Sequence, residues 1–139
     1  MITLYGMSSP NVRKVLIALE EIGLPYESRR IAVFRGEQFG EAFLALSPMA
    51  KVPVLRDPEG LAGETPIFES GAILIYLAES YAPQFLPSAG PGRWEALKWL
   101  MLQVANVGPA LGQHSHFRLQ AEDNEMCIRD RQASFPSSA

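Results

Sequence analysis

The pattern of apolar and polar positions at the start of the chain predicts a strand followed by an amphipathic helix. A β-branched and aromatic run at residues 2–5 is typical of a strand, and a stretch rich in glycine, serine and proline follows it. The next apolar residues fall at helical spacing and form one face: Val12, Val15, Leu16, Leu19 and Ile22. Gly23 stands where a helix-ending glycine is expected, and Pro25 prevents the helix from continuing.

The same alternation continues and predicts an α/β domain. Strands are indicated at 26–33, 52–57 and 66–69, and the last two are near enough in sequence to form a hairpin. A short helix is predicted within 36–48 and a stronger one over 69–81. The order is β-α-β-α-β-β-α, and its opening β-α-β unit implies two parallel strands joined by a right-handed crossover. This order is the thioredoxin-like plan, in which the later hairpin adds an antiparallel edge.

A segment rich in proline, glycine and serine divides the chain. We assign 1–82 to the thioredoxin-like domain, 83–92 to a linker and 93–125 to the first part of a helical domain. The apolar residues of that helical part lie on one face of a long helix: Trp94, Leu97, Met101, Val104 and Val107. Gly108-Pro109 is expected to kink or end this helix, because proline has no N–H to donate. We interpret Trp94 and Trp99 as core or interface residues.

Composition and charge narrow the function classes. Hydrophobic residues make up 47% of the 139 residues and charged residues 19%, which is typical of a globular chain. The net charge is -3 and no basic face is evident, so neither the charge nor its pattern favours a nucleic-acid partner. No apolar run approaches the roughly 20 residues of a membrane span. The first residues do not resemble a secretion signal, so a cytoplasmic protein is expected.

The few cysteine and histidine residues exclude several kinds of chemistry. Cys127 is the only cysteine, so the sequence offers neither an internal disulfide nor a Cys-x-x-Cys redox pair. His114 and His116 lack a third ligand, so no metal site is expected and we assign neither residue a role. Any thiol chemistry must therefore use a sulfur that a bound molecule supplies.

Three stretches in this order and spacing resemble the N-terminal domain of the cytosolic glutathione transferase superfamily: "MITLYGMSSPNVRKVLIALEEIGLPYE", "LSPMAKVPVLRD" and "IFESGAILIYLAE". The segment "WLMLQVANVGPALGQHSHF" (99–117) is similar to the first C-terminal-domain helix of the bacterial Nu class, and "GEQF" fits the same class. The resemblance implies an enzyme that uses the thiolate of glutathione, as co-substrate and without a metal, to reduce disulfides or conjugate electrophiles. It also implies a homodimer at full length. The Nu-like residues favour disulfide reduction with two glutathione molecules.

A second class of function stays open. Some superfamily relatives are non-catalytic interaction modules in transcription or translation complexes, and those usually lose the residues that anchor glutathione. The anchors are present in this sequence, which favours the enzyme.

Pro53 interrupts an apolar run that otherwise reads as a strand. Because proline cannot donate to a ladder, it is confined to strand starts, edges and bulges, and this structural reading needs no ligand. At a strand start, the backbone N–H and C=O of Val52 are free to pair with an extended peptide laid alongside. The resemblance implies that Pro53 follows a cis peptide bond and that Val52 pairs with the cysteinyl unit of glutathione.

Glu69 and Ser70 precede the strongest predicted helix. Ser70 is a good N-cap and Glu69 suits the positive helix end, which is a sufficient structural explanation. A helix N-terminus also binds anions. The resemblance places the γ-glutamyl carboxylate of glutathione at Ser70 and its ammonium at Glu69.

The turn "Ser8-Ser9-Pro10-Asn11" leads into the first helix. Serine and asparagine are typical of helix starts and proline of the first helical position, so capping alone would explain the motif. The same geometry lowers the pKa of a thiol held there. The resemblance implies that Ser9 and Asn11 are catalytic and stabilise the glutathione thiolate, with Ser9 replacing the threonine that Nu-class proteins typically have.

Two polar residues complete the predicted glutathione site. The resemblance makes Gln38 a hydrogen-bonding partner for the glycyl end of glutathione, whereas taken alone it reads as a helix-surface residue. Lys51 could supply positive charge to the glycyl carboxylate, and its alternative is a solvated lysine.

The end of the sequence departs from the family pattern. Only the beginning of the helical C-terminal domain is recognisable, so we expect this fragment by itself to be weakly active or inactive. Residues 126–139, "MCIRDRQASFPSSA", resemble no family segment, and "MCIRDR" is what one frame of a common sequencing adapter would encode. We therefore predict that this tail, Cys127 included, is not native. The alternative is a natural but divergent tail.

Overall fold

The computed structural model describes residues 1–119. Its strands are β1 (Ile2–Gly6), β2 (Tyr26–Arg30), β3 (Val54–Asp57) and β4 (Gly63–Phe68). Its α-helices are α1 (Pro10–Ile22), α2 (Glu41–Leu44), α3 (Ser70–Tyr81), α4 (Pro91–Leu102) and α5 (Gly108–Leu119). Two 3-10 turns, Val33–Arg35 and Glu37–Phe39, precede α2, and a π-helical turn, Gln103–Val107, separates α4 from α5.

The four strands form one mixed sheet in the order β2-β1-β3-β4. β1 pairs in parallel with β2 and antiparallel with β3, and β3 pairs antiparallel with β4. This topology confirms the α/β, thioredoxin-like plan, its parallel β-α-β opening and its terminal hairpin.

Both faces of the sheet are covered by apolar side chains. Because successive strand residues point to opposite faces, Leu4 and Leu55 belong to one cluster while Tyr5 and Val54 belong to the other. The larger cluster joins β1, α1, β3 and α3 through Ile2, Leu4, Val12, Val15, Leu19, Leu55, Ile73 and Leu77. A fully buried leucine contributes about 1.5–3 kcal/mol, so this cluster is a main source of stability. Tyr5 is a core residue, as expected.

The boundaries of α1 follow from local chemistry. The Ser9 side chain accepts a hydrogen bond from the backbone N–H of Val12, and Pro10 occupies the first helical position. Gly23 ends the helix in the left-handed conformation, with φ 77°, and its N–H is donated to the carbonyls of Leu19 and Glu20. These observations confirm the predicted start and end of this helix.

Several predicted boundaries are wrong, each for a physical reason. β3 begins at Val54 instead of residue 52, because Pro53 cannot donate to the ladder. β2 ends at Arg30 instead of residue 33, where the chain turns into the first 3-10 turn. The predicted helix over 36–48 is replaced by the second 3-10 turn and the four-residue α2, because Gly36 at φ 81° and the extended Gly40 interrupt it. β4 is longer than predicted and runs from Gly63.

The helical part is described in two pieces. The chain separates into two compact units, Met1–Met101 and the segment from Leu102 onward. In the second unit, Gly108 donates its N–H to the carbonyl of Gln103, which closes the π-helical turn. Gly108-Pro109 therefore opens a new helix, with proline in its first turn where no N–H is needed. The limits assigned to the domains stay predictions.

α4 contains no buried residue, and Trp94 and Trp99 are 70% and 59% exposed. The core alternative for these two tryptophans is therefore wrong within the described residues, and the interface alternative stays a prediction.

No helix within residues 1–119 is both long enough and apolar enough to cross a membrane. The predictions for the tail 126–139 and Cys127 fall outside the described residues.

Candidate functional site

The strand register brings three of the sequence motifs to one edge of the sheet. Tyr5 in β1 pairs with Val54 in β3, and Val54 pairs with Phe68 in β4. Since β3 runs antiparallel to both neighbours, the end of β1, the start of β3 and the end of β4 coincide. The turn after β1, the Val52-Pro53 step before β3 and the Glu69-Ser70 step after β4 therefore emerge together. We call this the cradle edge.

The loop before β3 has a defined conformation. The Val52-Pro53 peptide bond is cis, which confirms the expectation for Pro53. Ser47, only 1% exposed, fixes the loop with its hydroxyl, which donates to the carbonyl of Lys51 at 3.0 Å and accepts from its N–H at 3.3 Å. Val52 precedes the first ladder residue of β3 and packs against both apolar clusters. The loop thus holds the backbone of Val52 at the cradle edge.

Ser47 is a residue that sequence reasoning missed. It lies inside the quoted motif "LSPMAKVPVLRD", directly before a proline. A serine between a helix and a turn commonly bonds to nearby backbone, and this position could have indicated the contact.

Glu69 and Ser70 begin α3 differently from the capping prediction. Glu69 occupies the N-cap position with φ 68° and ψ 113°, and its side chain makes no capping hydrogen bond. Ser70 is the first helical residue and is buried. The prediction of Ser70 as the N-cap is therefore wrong, because the turn at Glu69 already places Ser70 inside the helix.

Lys14 adds positive charge near Glu69. Burial lowers the pKa of Lys14 below its ordinary value, and the carboxylate of Glu69 opposes that effect. The ammonium of Lys14, on α1, is therefore close enough to Glu69 to interact with it electrostatically. This neighbour was not predicted from the sequence, because nothing in the spacing relates residue 14 to residue 69.

Ser9 and Asn11 occupy the start of α1, beside the end of β1. The Ser9 hydroxyl lies 3.4 Å from the N–H of Val12, which confirms the capping interpretation. Asn11 is exposed on the first turn. The neighbouring Ser8 accepts a hydrogen bond from the guanidinium of Arg13 at 3.2 Å. A catalytic role for Ser9 and Asn11 stays a prediction.

Gln38 is buried, with 7% of its surface exposed, in the 3-10 turn before α2. The helix-surface interpretation of this residue is therefore wrong. Its Oε1 has no hydrogen-bond partner among the described residues. A buried polar atom without a partner costs about 1–3 kcal/mol, so Gln38 is a strong candidate for a ligand contact. Lys51, in contrast, is exposed, as its solvated alternative predicts.

The part of the chain that matches known proteins contains the motifs described above. The family model of the glutathione S-transferase N-terminal domain matches residues 8–80. Disulfide-bond oxidoreductase YfcG of Escherichia coli K12 is 42% identical over 119 residues, which cover 84% of this chain and 55% of that protein. Glutathione S-transferase GstB of the same organism is 43% identical over 106 residues, which cover 72% of this chain and 48% of that protein. The chain spans about half the length of these curated relatives.

Solved structures give the same result. A glutathione transferase family member from Pseudomonas fluorescens, crystallised with two glutathione bound, is 42% identical with a TM-score of 0.81, and the match covers 90% of this chain and 56% of that one. A glutathione transferase from Pseudomonas putida, with one glutathione disulfide bound per subunit, is 41% identical with a TM-score of 0.83, and the match covers 94% and 57%.

Proposed function

The chain belongs to the glutathione S-transferase family, and from this premise we propose that it is the glutathione-binding part of a glutathione-dependent disulfide-bond reductase. The convergence of the β1 turn, Val52-Pro53 and Glu69-Ser70 at the cradle edge carries this proposal. These groups come from distant parts of the sequence, and an extended tripeptide laid along this edge would contact all of them. At full length, the protein acts in the cytoplasm as a homodimer.

Glutathione lies along the cradle edge in extended form. The backbone of Val52, presented by the cis bond to Pro53, pairs with the cysteinyl unit. Its γ-glutamyl carboxylate meets the N-terminus of α3 at Ser70, where unpaired N–H groups and the helix dipole favour an anion. Its ammonium meets the carboxylate of Glu69. The zwitterionic end of glutathione thus finds one partner for each charge.

The glycyl end of glutathione reaches Gln38 and Lys51. The buried Oε1 of Gln38 is an acceptor without a partner among the described residues, and an amide N–H of the tripeptide would satisfy it. The exposed ammonium of Lys51 faces the glycyl carboxylate. A contact of this kind is worth little in solvent, so Gln38 contributes more than Lys51.

The reaction uses the sulfur of glutathione. Ser9 and Asn11, at the positive end of α1, stabilise the thiolate and lower its pKa. This thiolate attacks one sulfur of a disulfide substrate, forms a mixed disulfide and releases the other sulfur as a thiolate. A second glutathione thiolate then attacks the mixed disulfide, which yields glutathione disulfide and the second reduced thiol. Relatives crystallised with two glutathione or with glutathione disulfide support this sequence.

Conjugation of glutathione to an electrophile is the nearest alternative, since the same thiolate would serve and GstB carries the transferase name. A non-catalytic interaction module is the alternative from another class. Such modules usually lose the glutathione anchors, whereas Gln38, Val52-Pro53 and Glu69-Ser70 are all present in this sequence, which favours the enzyme. Retention of the full-length protein on glutathione-agarose separates the module from both enzymes.

Binding measurements on Ser70→Ala and Glu69→Ala test the proposed site. We expect each variant to bind glutathione about 1–3 kcal/mol more weakly by calorimetry, because each leaves a charge of the ligand without its partner. Ser80→Ala, at the other end of α3, is the matched control and should bind normally. Unchanged affinity in both variants, with reduced thermal stability, would mean that these residues serve only the helix start.

A further inference from the structure

A second groove lies beside the cradle edge, where the parallel strands β1 and β2 end. It encloses about 710 Å³ within the first compact unit and is open to solvent. Three arginines line it, each from a different element: Arg13 from α1, Arg30 from the end of β2 and Arg35 from the first 3-10 turn. No acidic side chain is among its lining residues. We call it the basic groove.

The charge of the basic groove contrasts with that of the whole chain. The chain carries a net charge of -3, so three cations around one groove are a local concentration of the opposite sign. The guanidinium of Arg13 donates to the hydroxyl of Ser8, which fixes it at the mouth of the α1 turn. A cleft of one sign raises the local concentration of counter-charged ligands.

The basic groove is also partly apolar. Phe34, 93% exposed, stands between Val33 and Arg35 in its rim, and Leu16 of α1 contributes to its wall. An aromatic ring beside guanidinium groups suits a ligand that combines a flat apolar body with carboxylates. Arginine forks bind carboxylates through two parallel hydrogen bonds, which fixes the orientation of such a ligand.

The groove reaches the proposed reaction centre. Ser8 lines it and directly precedes Ser9 in the turn that would hold the glutathione thiolate. None of the six residues that we assign to glutathione lines it. The groove therefore shares the turn after β1 with the cradle edge, but its three arginines come from outside that edge.

We propose that the basic groove binds the second substrate and selects aromatic disulfides that carry carboxylates. The anionic groups lie against Arg13, Arg30 and Arg35, and the apolar body lies against Phe34. The reacting sulfur then faces Ser9. This inference rests on the proposed function for the reaction itself, but the binding site stands on the groove alone.

The test uses calorimetry on the full chain with a ligand that cannot be reduced. The probe is thiodibenzoate, an aromatic thioether with two carboxylates, and thiodiphenol is its neutral counterpart. The variant is the double substitution Arg30→Gln and Arg35→Gln. Arg29→Gln is the matched control, because Arg29 is an exposed neighbour on β2 that pairs with Glu27 and does not line the groove.

We expect the double variant to bind thiodibenzoate at least about tenfold more weakly, the scale of losing charge-assisted hydrogen bonds. Thiodiphenol affinity should change by less than about twofold, and Arg29→Gln should behave like the wild type. Equal losses for both probes, equal losses in Arg29→Gln, or no binding of thiodibenzoate to the wild type would each overturn the groove as a carboxylate site.

Two further measurements separate this inference from the proposed function. Glutathione affinity should be the same in the wild type and the double variant, since the cradle edge is untouched. If glutathione does not bind at all while thiodibenzoate does, the proposed function fails and the groove stands. In the full-length protein, thiodibenzoate should inhibit disulfide reduction competitively with the disulfide, and non-competitive inhibition would exclude the groove as the substrate site.

Discussion

The two ends of β3 differ in whether their polar groups find partners within the chain. At its start, the cradle edge holds two residues with a positive φ, Ala50 and Glu69, and the side chain of Glu69 makes no capping hydrogen bond. At its end, the carboxylate of Asp57 is buried, and it accepts hydrogen bonds from the hydroxyls of Tyr76, at 2.6 Å, and Tyr81. One end keeps polar groups available, and the other satisfies them within the chain.

The turn after β3 shows how closely the satisfied end is packed. Gly60 donates its N–H to the carbonyl of Asp57 at 3.1 Å. A Cβ on Gly60 would lie 2.1 Å from Oδ2 of Asp57 and 2.3 Å from the hydroxyl of Tyr76, so any other residue would have to displace these hydrogen-bonded side chains. The two tyrosines of α3 thereby attach the helix to the sheet.

The largest effect on stability is expected at the end of β3, where Asp57 is hydrogen-bonded within the chain. Asp57→Ala removes two hydrogen bonds to a charged acceptor and strands two tyrosine hydroxyls, so we expect the free energy of unfolding to fall by about 3–5 kcal/mol. Urea unfolding measures this loss. Asp57→Asn, which keeps one acceptor oxygen, should lose less. A loss below about 1 kcal/mol in Asp57→Ala would contradict the assignment of this network to stability.

The same network gives the chain a pH dependence with a defined sign. The hydrogen bond to Asp57 and then burial raise the pKa of Tyr81, and burial and the bond to Asp57 raise the pKa of Tyr76. The neutral phenols are therefore favoured in the folded state. Their contribution is complete below the ordinary tyrosine pKa, near 10, and is lost as pH rises beyond it. Above that pH, the free energy of unfolding of Tyr81→Phe, measured with urea, should depend less steeply on pH than that of the wild type.

An intermediate effect is expected at the turn that begins α1. Ser9→Ala and Asn11→Ala should each lower the turnover of a small disulfide roughly tenfold or more in the full-length protein, which corresponds to about 1.4 kcal/mol in the barrier. Glutathione affinity should change less, because the other anchors still hold the tripeptide. The pKa of the bound thiol, followed through its thiolate absorbance, should rise in both variants.

Stability separates the two variants of this turn. Ser9→Ala also removes the cap of α1, so its free energy of unfolding should fall by about 1 kcal/mol. Asn11→Ala changes an exposed residue, so its free energy of unfolding should change little. If both variants keep wild-type turnover and an unchanged thiol pKa, the turn is only a helix cap.

The smallest effect on stability is expected at Glu69, where a glycine should preserve or raise stability but weaken the binding of glutathione. Glu69→Gly relieves the positive φ of 68° but makes the unfolded chain more flexible, so stability should stay level or rise by up to about 1 kcal/mol. Glutathione affinity should nevertheless fall, because the partner of the ammonium is gone. Glu69→Ala is the control, since it loses the same carboxylate and keeps the unfavourable backbone. A clear loss of stability in Glu69→Gly would mean that the conformation of Glu69 is not strained.

Much of the fold was predictable because it depends on neighbours in sequence. The spacing of apolar residues defined α1, and Ser9 and Gly23 cap it through bonds that span three or four residues. The β-α-β opening and the closing hairpin followed from the order of the elements. Three quoted motifs were sufficient to indicate the family, and the cis bond before Pro53 followed from that resemblance.

Only the tertiary structure decided the features that join distant residues. The pairing of Tyr5 with Val54, and of Val54 with Phe68, assembled the cradle edge from three separate motifs. The burial of Gln38 depended on glycines that break its predicted helix into short turns. The contacts of Asp57 span 19 and 24 residues of sequence. Local spacing determines which elements form, because helix and turn bonds are short in sequence, whereas the partner of each polar side chain depends on how those elements pack.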